Sequence, residues 1–172
     1  PERFNTLGPA LGEDVRRAVG YVRARRLALR AATLQAAGTV FCAGGNPHGS
    51  RGGPSSLEAS AMGVIRMSEG FVELRNLHAP VACAVHGAMV GGAAAIFLHT
   101  DVRVSDGGAT CQHGNLSRGV CPIAGYSGTL QTVVSTGQAL GYYLTDQTII
   151  ATRALALDLV QAVSNGVADT KE

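Results

Sequence analysis

Apolar and polar positions along this chain follow two different periods, and the switches between them outline its elements. From Glu13-Asp14, the apolar residues Val15, Ala18, Val19 and Val22 recur at helical spacing. Acidic residues lead and arginines follow, the order that suits a helix dipole. Leu27 to Gln35 reads as a strand ending at Ala36-Ala37-Gly38, and the Gly/Pro/Ser-rich stretch from Phe41 to Ser56 reads as a loop. Helical periodicity returns from Leu57 to Leu77, with Met62, Ile65, Met67, Phe71 and Leu74 expected to face inward and Pro80 as the stop. Val81 to Val85 is short and wholly apolar, the profile of a strand buried in a parallel sheet. After His86-Gly87 a glycine-rich turn leads into a helix of small residues, Gly91 to His99. Asp101 to Ser105 predicts a strand, Gly107-Gly108 a turn, and Ala109 to His113 a further short strand. Two more helices are expected within Gly128 to Leu144 and Thr152 to Val163. Strands alternate with helices and nothing repeats, so the pattern predicts one α/β domain.

Composition supports a packed domain. Of 172 residues 46% are apolar and 15% charged, and Trp is absent, so the core must be built from Ala, Val, Leu and Ile. The net charge of +2 comes largely from Arg16, Arg17, Arg23, Arg25, Arg26 and Arg30. Two readings of that cluster stand: a solvated helix face, or an anion contact. It has no interleaved aromatic residues on which bases would stack, which argues against nucleic acid. Cys42, Cys83, Cys111 and Cys121 form no CxxC pair and read as free thiols, mostly buried. No metal site is expected. No signal peptide is evident and no apolar run reaches membrane-spanning length, so a soluble, cytoplasmic protein is expected without a membrane partner.

The 23 glycines cluster where chemistry should be sought. Phe41-Cys-Ala-Gly-Gly-Asn46 and His86-Gly-Ala-Met-Val-Gly-Gly92 each follow an expected strand, and the second opens a helix. Glycine permits positive φ and lets a ligand approach the main chain, while a helix N-terminus offers free N–H groups. Two such turns side by side would supply two N–H donors, an oxyanion hole for a thioester carbonyl becoming an enolate or tetrahedral oxyanion. Plain turn chemistry is the alternative for either turn alone. GxGxxG and GxxxxGK[ST] are both absent, and Gly125-Tyr-Ser-Gly-Thr129 lacks the GxSxG spacing.

These segments carry a family resemblance. Phe41 to Asn46 resembles the crotonase signature FxAGxD, and Ala79 to Ala93 resembles KPVIAAVNGxxxGGG. Asp101 to Ser105 is similar to the strand usually written CDxxxA. Ala109 to Leu130 resembles AxFxxPExxxGxxPxxGGxxxL, with Gly119, Pro122 and Gly125 in register, and Thr145 to Val163 resembles TGxxxxAxxAxxxGLV. The resemblance implies a crotonase-like ββα superhelix, a spiral core, here expected to lack the family's first strand and C-terminal helices. It implies an acyl-CoA or acyl-carrier-protein thioester as substrate. CoA or phosphopantetheine would enter as part of that substrate, with no separate cofactor. A homo-oligomer, trimer or hexamer, is expected where the missing C-terminal part is present. The divergent, Ala-rich sequence also suits crotonase-like domains of polyketide assembly lines.

Residue by residue, the resemblance implies that Gly45 and Gly92 donate the two oxyanion-hole N–H groups. Gly45-Asn46-Pro47-His48 would line the thioester and pantetheine arm, with Asn46 in place of the usual acid. The two glutamates that family hydratases use would fall on Ala95 and Asn115, and neither residue exchanges a proton as a carboxylate does. Two-glutamate hydration is therefore not expected. Decarboxylation or dehydration through an enolate needs less acid–base machinery, and a buried glutamate would repel a malonyl-type carboxylate. Asn115, His113 and Tyr126 are the side-chain candidates, each with a structural alternative. His86, usually Asn in the family, is expected to orient its turn, and His78 and His99 have no catalytic role. A non-catalytic thioester- or protein-binding module is the rival to an enzyme.

Overall fold

The computed structural model describes residues 1–25, 29–45 and 56–165. Helix α1 (Pro9–Ala24) begins earlier than its acidic residues suggest: Gly8 caps it and Pro9, whose missing N–H costs nothing in the first turn, opens it. Glu13 instead pairs with Arg16 (2.7 Å) and Arg17 (3.2 Å), and Arg23 pairs with Glu73 (2.9 Å). Arg25 lies over the Tyr21 ring at 3.7 Å. Arg16 and Arg17 thus pair within the helix and Arg23 reaches across the chain, all three exposed as on a solvated helix face, while Arg26 lies outside the described residues.

Strand β1 (Ala32–Gln35) is followed by α2 (Leu57–Val72), which tightens into a 3-10 turn over Glu73–Asn76. Helix α2 buries Phe71 and half-buries Met67, and Leu74 is buried in the turn after it. Met62 and Ile65 are each 43% exposed, against expectation. The cause lies in how α2 meets α1. A Cβ added at Gly12 would strike the Arg66 and Met67 main chain, and one at Gly70 would strike the Gly12 carbonyl. Close contact is therefore centred on residues 66–70, and the first half of α2 extends past its partner.

The rest builds a spiral of strand, strand, helix. Strand β2 (Val81–Val85) leads through Gly87 into β3 (Ala88–Val90) and α3 (Gly92–Phe97). Then β4 (Val102–Asp106) leads into β5 (Thr110–Gln112), a 3-10 turn over Leu116–Arg118, and α4 (Tyr126–Val133). In each turn the first strand joins one sheet and the second joins another. Among the described residues the first sheet runs β1-β2-β4-β7, all parallel, and the second runs β3-β5-β6. Asp101 ties the turns together, its Oδ2 accepting from Val81 N–H (2.8 Å) while its own N–H donates to Val81 O (2.8 Å).

Three expectations need correction. Residues 88–90 form a strand, not a bare turn, because β3 is too short to show a period yet pairs with β5 from Ala88↔Thr110 to Val90↔Gln112. The helix expected up to Leu144 is two helices. Ser135 starts α5 (Thr136–Thr145) with a reciprocal capping box to Gln138, which ends α4 at Val133. The last helix, α6 (Ala151–Ala156), follows β6 (Ile149–Ile150) and gives way at Asp158 (φ 59°) to β7 (Ala162–Ser164). Asp146 (φ 52°) and Asp158 stand where the TGxxxxAxxAxxxGLV motif has its two glycines. Asp is among the few L-residues that tolerate the left-handed region, so the backbone survives the exchange.

Helix α3 is buried at every position. At six residues it is too short to hold itself by propensity, so packing makes it. Phe97 and Ile96 join Cys83, Val85, Met89, Leu130, Tyr142 and Leu159 in one core, each large side chain contributing about 1.5–3 kcal/mol by leaving water. Burial holds the Cys83 and Cys111 thiols up at about 12, as inert core groups, while Cys121 is exposed. No described helix is long and apolar enough to cross a membrane.

Candidate active site

The two glycine turns meet. Cys42 bridges Met89 in parallel, its N–H donating to Ala88 O (3.1 Å) and its carbonyl accepting from Val90 N–H (2.9 Å). The same offset matches Gly44 to Gly91. At Gly44 (φ 86°) a Cβ would stand 2.8 Å from Val90 O and 3.7 Å from Gly91 Cα. At Gly91 (φ 62°) it would stand 3.7 Å from Gly44 Cα and 3.3 Å from Asn115 Oδ1. Glycine is required at both positions, by left-handed backbone and by the closeness of the facing chain.

Gly45 follows directly and pairs with Leu7 through a parallel bridge, Leu7 N–H donating to Gly44 O (2.7 Å). Gly92 is the first residue of α3. Its N–H has no acceptor among the described residues, as expected of an N-terminal orphan donor. The side chains of Leu7 and Ile123 close over its α-carbon, 2.9 and 2.8 Å from where a Cβ would be. Asn46, Pro47 and His48, expected along the substrate arm, lie outside the described residues.

Two histidines build this neighbourhood without facing it. His86 donates from Nε2 to Gly38 O (2.8 Å), clamping the turn before Phe41 to the end of β2, an orienting role. His99 donates from Nε2 to Ala124 O (2.8 Å), fixing the turn that carries Ile123. Burial lowers the His99 pKa, the Ala124 hydrogen bond opposes that, and Arg75 adds to it. The Ala124 anchor was invisible in sequence, where His99 stood out only as a helix-end residue.

At the two glutamate positions the structure differs sharply. Ala95 is 1% exposed on α3, packed in the core. Asn115 precedes the 3-10 turn, half-buried, with its side chain at Gly91 as described. Asn115 is thus brought to the glycine pair. For His113 it is the carbonyl oxygen, 3.7 Å from the Gly91 Cβ position, that approaches the turn. Its ring is 1% exposed and stacks on Tyr126 (centroids 4.4 Å, 9° between planes), with Tyr143 tilted at 5.0 Å. Neither His113 ring nitrogen nor the Tyr126 hydroxyl has a hydrogen-bond partner among the described residues. Desolvation lowers the His113 pKa against the pull of Asp146, and raises Tyr126. Both side chains are therefore neutral at pH 7 and stack on each other out of solvent, and of these two residues it is the His113 main chain that is recorded at the turn.

One participant escaped sequence reasoning. The Asp146 carboxylate accepts from Gly114 N–H through Oδ1, and from Ser117 N–H (3.2 Å) and Ser117 Oγ–H (2.6 Å) through Oδ2. The Ser117 hydroxyl, and then both backbone donors, hold its pKa below the usual value, with desolvation opposing. The available signal was an acid at a motif glycine.

Comparison with known proteins identifies the family and the fold. The family model "Enoyl-CoA hydratase/isomerase" matches residues 1–168. A probable enoyl-CoA hydratase of Mycobacterium bovis is 26% identical over 167 residues, covering 93% of this chain and 58% of its own length. The enoyl-CoA hydratase structure from Bacillus anthracis superposes with TM-score 0.90 at 24% identity, over 99% of this chain and 65% of that one. A putative enoyl-CoA hydratase from Thermobifida fusca, in complex with acetoacetyl-CoA, superposes with TM-score 0.86 at 23% identity, over 99% and 69%. The chain therefore spans about three fifths to two thirds of the length of such relatives. With the family model matched from its first residue to residue 168, this chain belongs to the enoyl-CoA hydratase/isomerase family.

Proposed function

We propose that this domain binds an acyl thioester and stabilises the enolate formed from it, with Gly45 and Gly92 donating to the carbonyl oxygen. The observation that carries the reading is the contact of the two glycine turns at Gly44 and Gly91, with Asn115 beside them. A carbonyl seated there gains negative charge as the enolate forms, and prepaid N–H dipoles stabilise that charge more than the ground state. The Thermobifida fusca relative, in complex with acetoacetyl-CoA, supports a CoA thioester as ligand. A carrier-protein thioester, including one of a polyketide assembly line, presents the same carbonyl and pantetheine arm.

The residues present favour decarboxylation or dehydration over two-glutamate hydration. With Ala95 in the core and Asn115 at the turn, neither motif position holds a carboxylate to activate water. Asn115 can orient a malonyl-type carboxylate through its amide without repelling it. CO₂ then leaves with its bonding electrons passing to the α-carbon and carbonyl oxygen, where the two N–H groups receive the charge. His113 and Tyr126, stacked and buried, belong to the same reading as its further side-chain candidates. Assembly as a homo-oligomer belongs to the same reading.

The test is incubation with malonyl-, methylmalonyl-, 3-hydroxyacyl- and enoyl-CoA, with products followed by mass spectrometry. Turnover of a malonyl-type or 3-hydroxyacyl thioester, lost in Gly92→Pro, is the expected result. Proline is tolerated at a first helical position but has no N–H to donate, and Gly92→Ala, which adds the same Cβ against Leu7 and Ile123 while keeping the N–H, is expected to retain turnover. The missing carboxylates also favour a non-catalytic thioester-binding module. Thioester binding without turnover selects that reading, and neither binding nor turnover rejects both.

A further inference from the structure

The side-chain contacts of Asp146 reach further than a helix cap. Residue 146 ends α5, yet its carboxylate takes three hydrogen bonds from Gly114 and Ser117, the residues that bracket Asn115. Its carbonyl accepts a fourth from Gln112 Nε2 (3.1 Å). Gln112 in turn holds the glycine turn, its carbonyl accepting from Gly91 N–H (2.9 Å). Arg118 closes the same loop by donating to Gly114 O. Asp146 thus grips the 112–117 segment on both sides of Asn115, whose side chain meets Gly91. At the motif position of a glycine, an acid here gives up conformational ease (φ 52°) for this grip.

We infer that Asp146 is a positioning residue for the site: it fixes the Gly114–Ser117 turn and so holds the Asn115 amide against the Gly91 turn. The chain lacks a glutamate at position 115, so a shorter neutral side chain must be aimed by its surroundings. The anion at residue 146 does the aiming through charge-assisted bonds. The inference rests on the thioester reading only for its effect on ligand. Its structural core, that Asp146 orients Asn115, stands apart from that reading.

The experiment uses the whole chain with Asp146→Gly, which suits the left-handed backbone and so preserves folding, and Asp146→Asn, which keeps size but removes charge. Without ligand, ¹⁵N NMR is expected to show the Gly114 amide moving upfield in both. In Asp146→Gly the Asn115 side-chain amide and the Gly91 amide are expected to move as well. Shifts confined to Gly114 and Ser117 would overturn the inference. With the sulfonate analogue of malonyl-CoA, in which SO₃⁻ replaces the carboxylate that Asn115 would orient and cannot leave as CO₂, Asp146→Gly is expected to weaken binding about tenfold, the loss of roughly one oriented hydrogen bond. In an Asn115→Ala background the same substitution should change nothing further. An equal loss in both backgrounds marks a merely structural role and overturns it too. If the unsubstituted protein does not bind the analogue, the thioester reading fails, and the NMR shifts decide the positioning role alone.

Discussion

Replacing Gly44 by alanine tests the meeting of the two turns, because the added methyl has nowhere to go. The residue adopts φ 86°, and the new Cβ would stand 2.8 Å from Val90 O. The left-handed backbone costs an L-residue about 1–2 kcal/mol. The clash cannot be relieved by a side-chain rotation, since Val90 O is main chain in β3, and Val90 N–H is already bonded to Cys42 O. Overpacking against fixed atoms costs about 1–3 kcal/mol. The expected loss is therefore about 2–5 kcal/mol, a large part of the 5–15 kcal/mol typical of a domain. The neighbouring Gly45→Ala is the internal control: among the described residues no heavy atom lies within 4 Å of its Cβ position, and it should fall within about 0.5 kcal/mol of the unsubstituted protein. Urea unfolding followed by circular dichroism measures both midpoints and checks that the slope is unchanged. If Gly44→Ala unfolds at the unsubstituted midpoint, or Gly45→Ala falls as far as Gly44→Ala, the turns do not touch as described.

Three further outcomes follow from the same structure. Ala95→Glu, which restores a motif glutamate, should destabilise by about 3–5 kcal/mol because it places an unpaired carboxylate in an apolar core; a neutral effect on the urea midpoint would contradict that burial. Ser135→Ala removes the cap that begins α5 and should cost about 1 kcal/mol by the same measurement, whereas no loss would mean the capping box is not formed. His99 and His113 have pKa values lowered by burial, so unfolded chains take up protons first as pH falls. Their contribution is complete above the unfolded value near 6.5. It is lost as pH drops from there toward the folded values, by at most about 1.4 kcal/mol per pH unit for each histidine. Midpoints that stay constant from pH 7.5 to 5.5 would refute it.

Much of this molecule was legible in its sequence, for reasons that differ by element. Val81 to Val85 was plain because a strand buried on both faces is a continuous apolar run, and the glycine turns were plain because only glycine suits them. The inward face of α2 was misjudged at Met62 and Ile65 since periodicity reports a face but not how far the partner helix extends along it. Strands β3, β6 and β7, of two or three residues, are too short to carry a period. The break at Ser135 is marked by its S-x-x-Q signal and by weak helix formers from Thr132 to Gly137, while apolar residues recur on both sides of it. At the site, motif spacing led to Gly45, Gly92 and Asn115, while Asp146 was hidden because its partners, Gly114 and Ser117, are distant in sequence.

The central claim, that a thioester carbonyl sits against the Gly45 and Gly92 amides, is tested most directly by ¹³C NMR of the carbonyl-labelled dethia analogue of acetyl-CoA. Two N–H donors polarise a bound carbonyl, so the account predicts a downfield shift of that carbon on binding, diminished in Gly92→Pro. A bound carbonyl at its solution shift, or one equally displaced in Gly92→Pro, would contradict it.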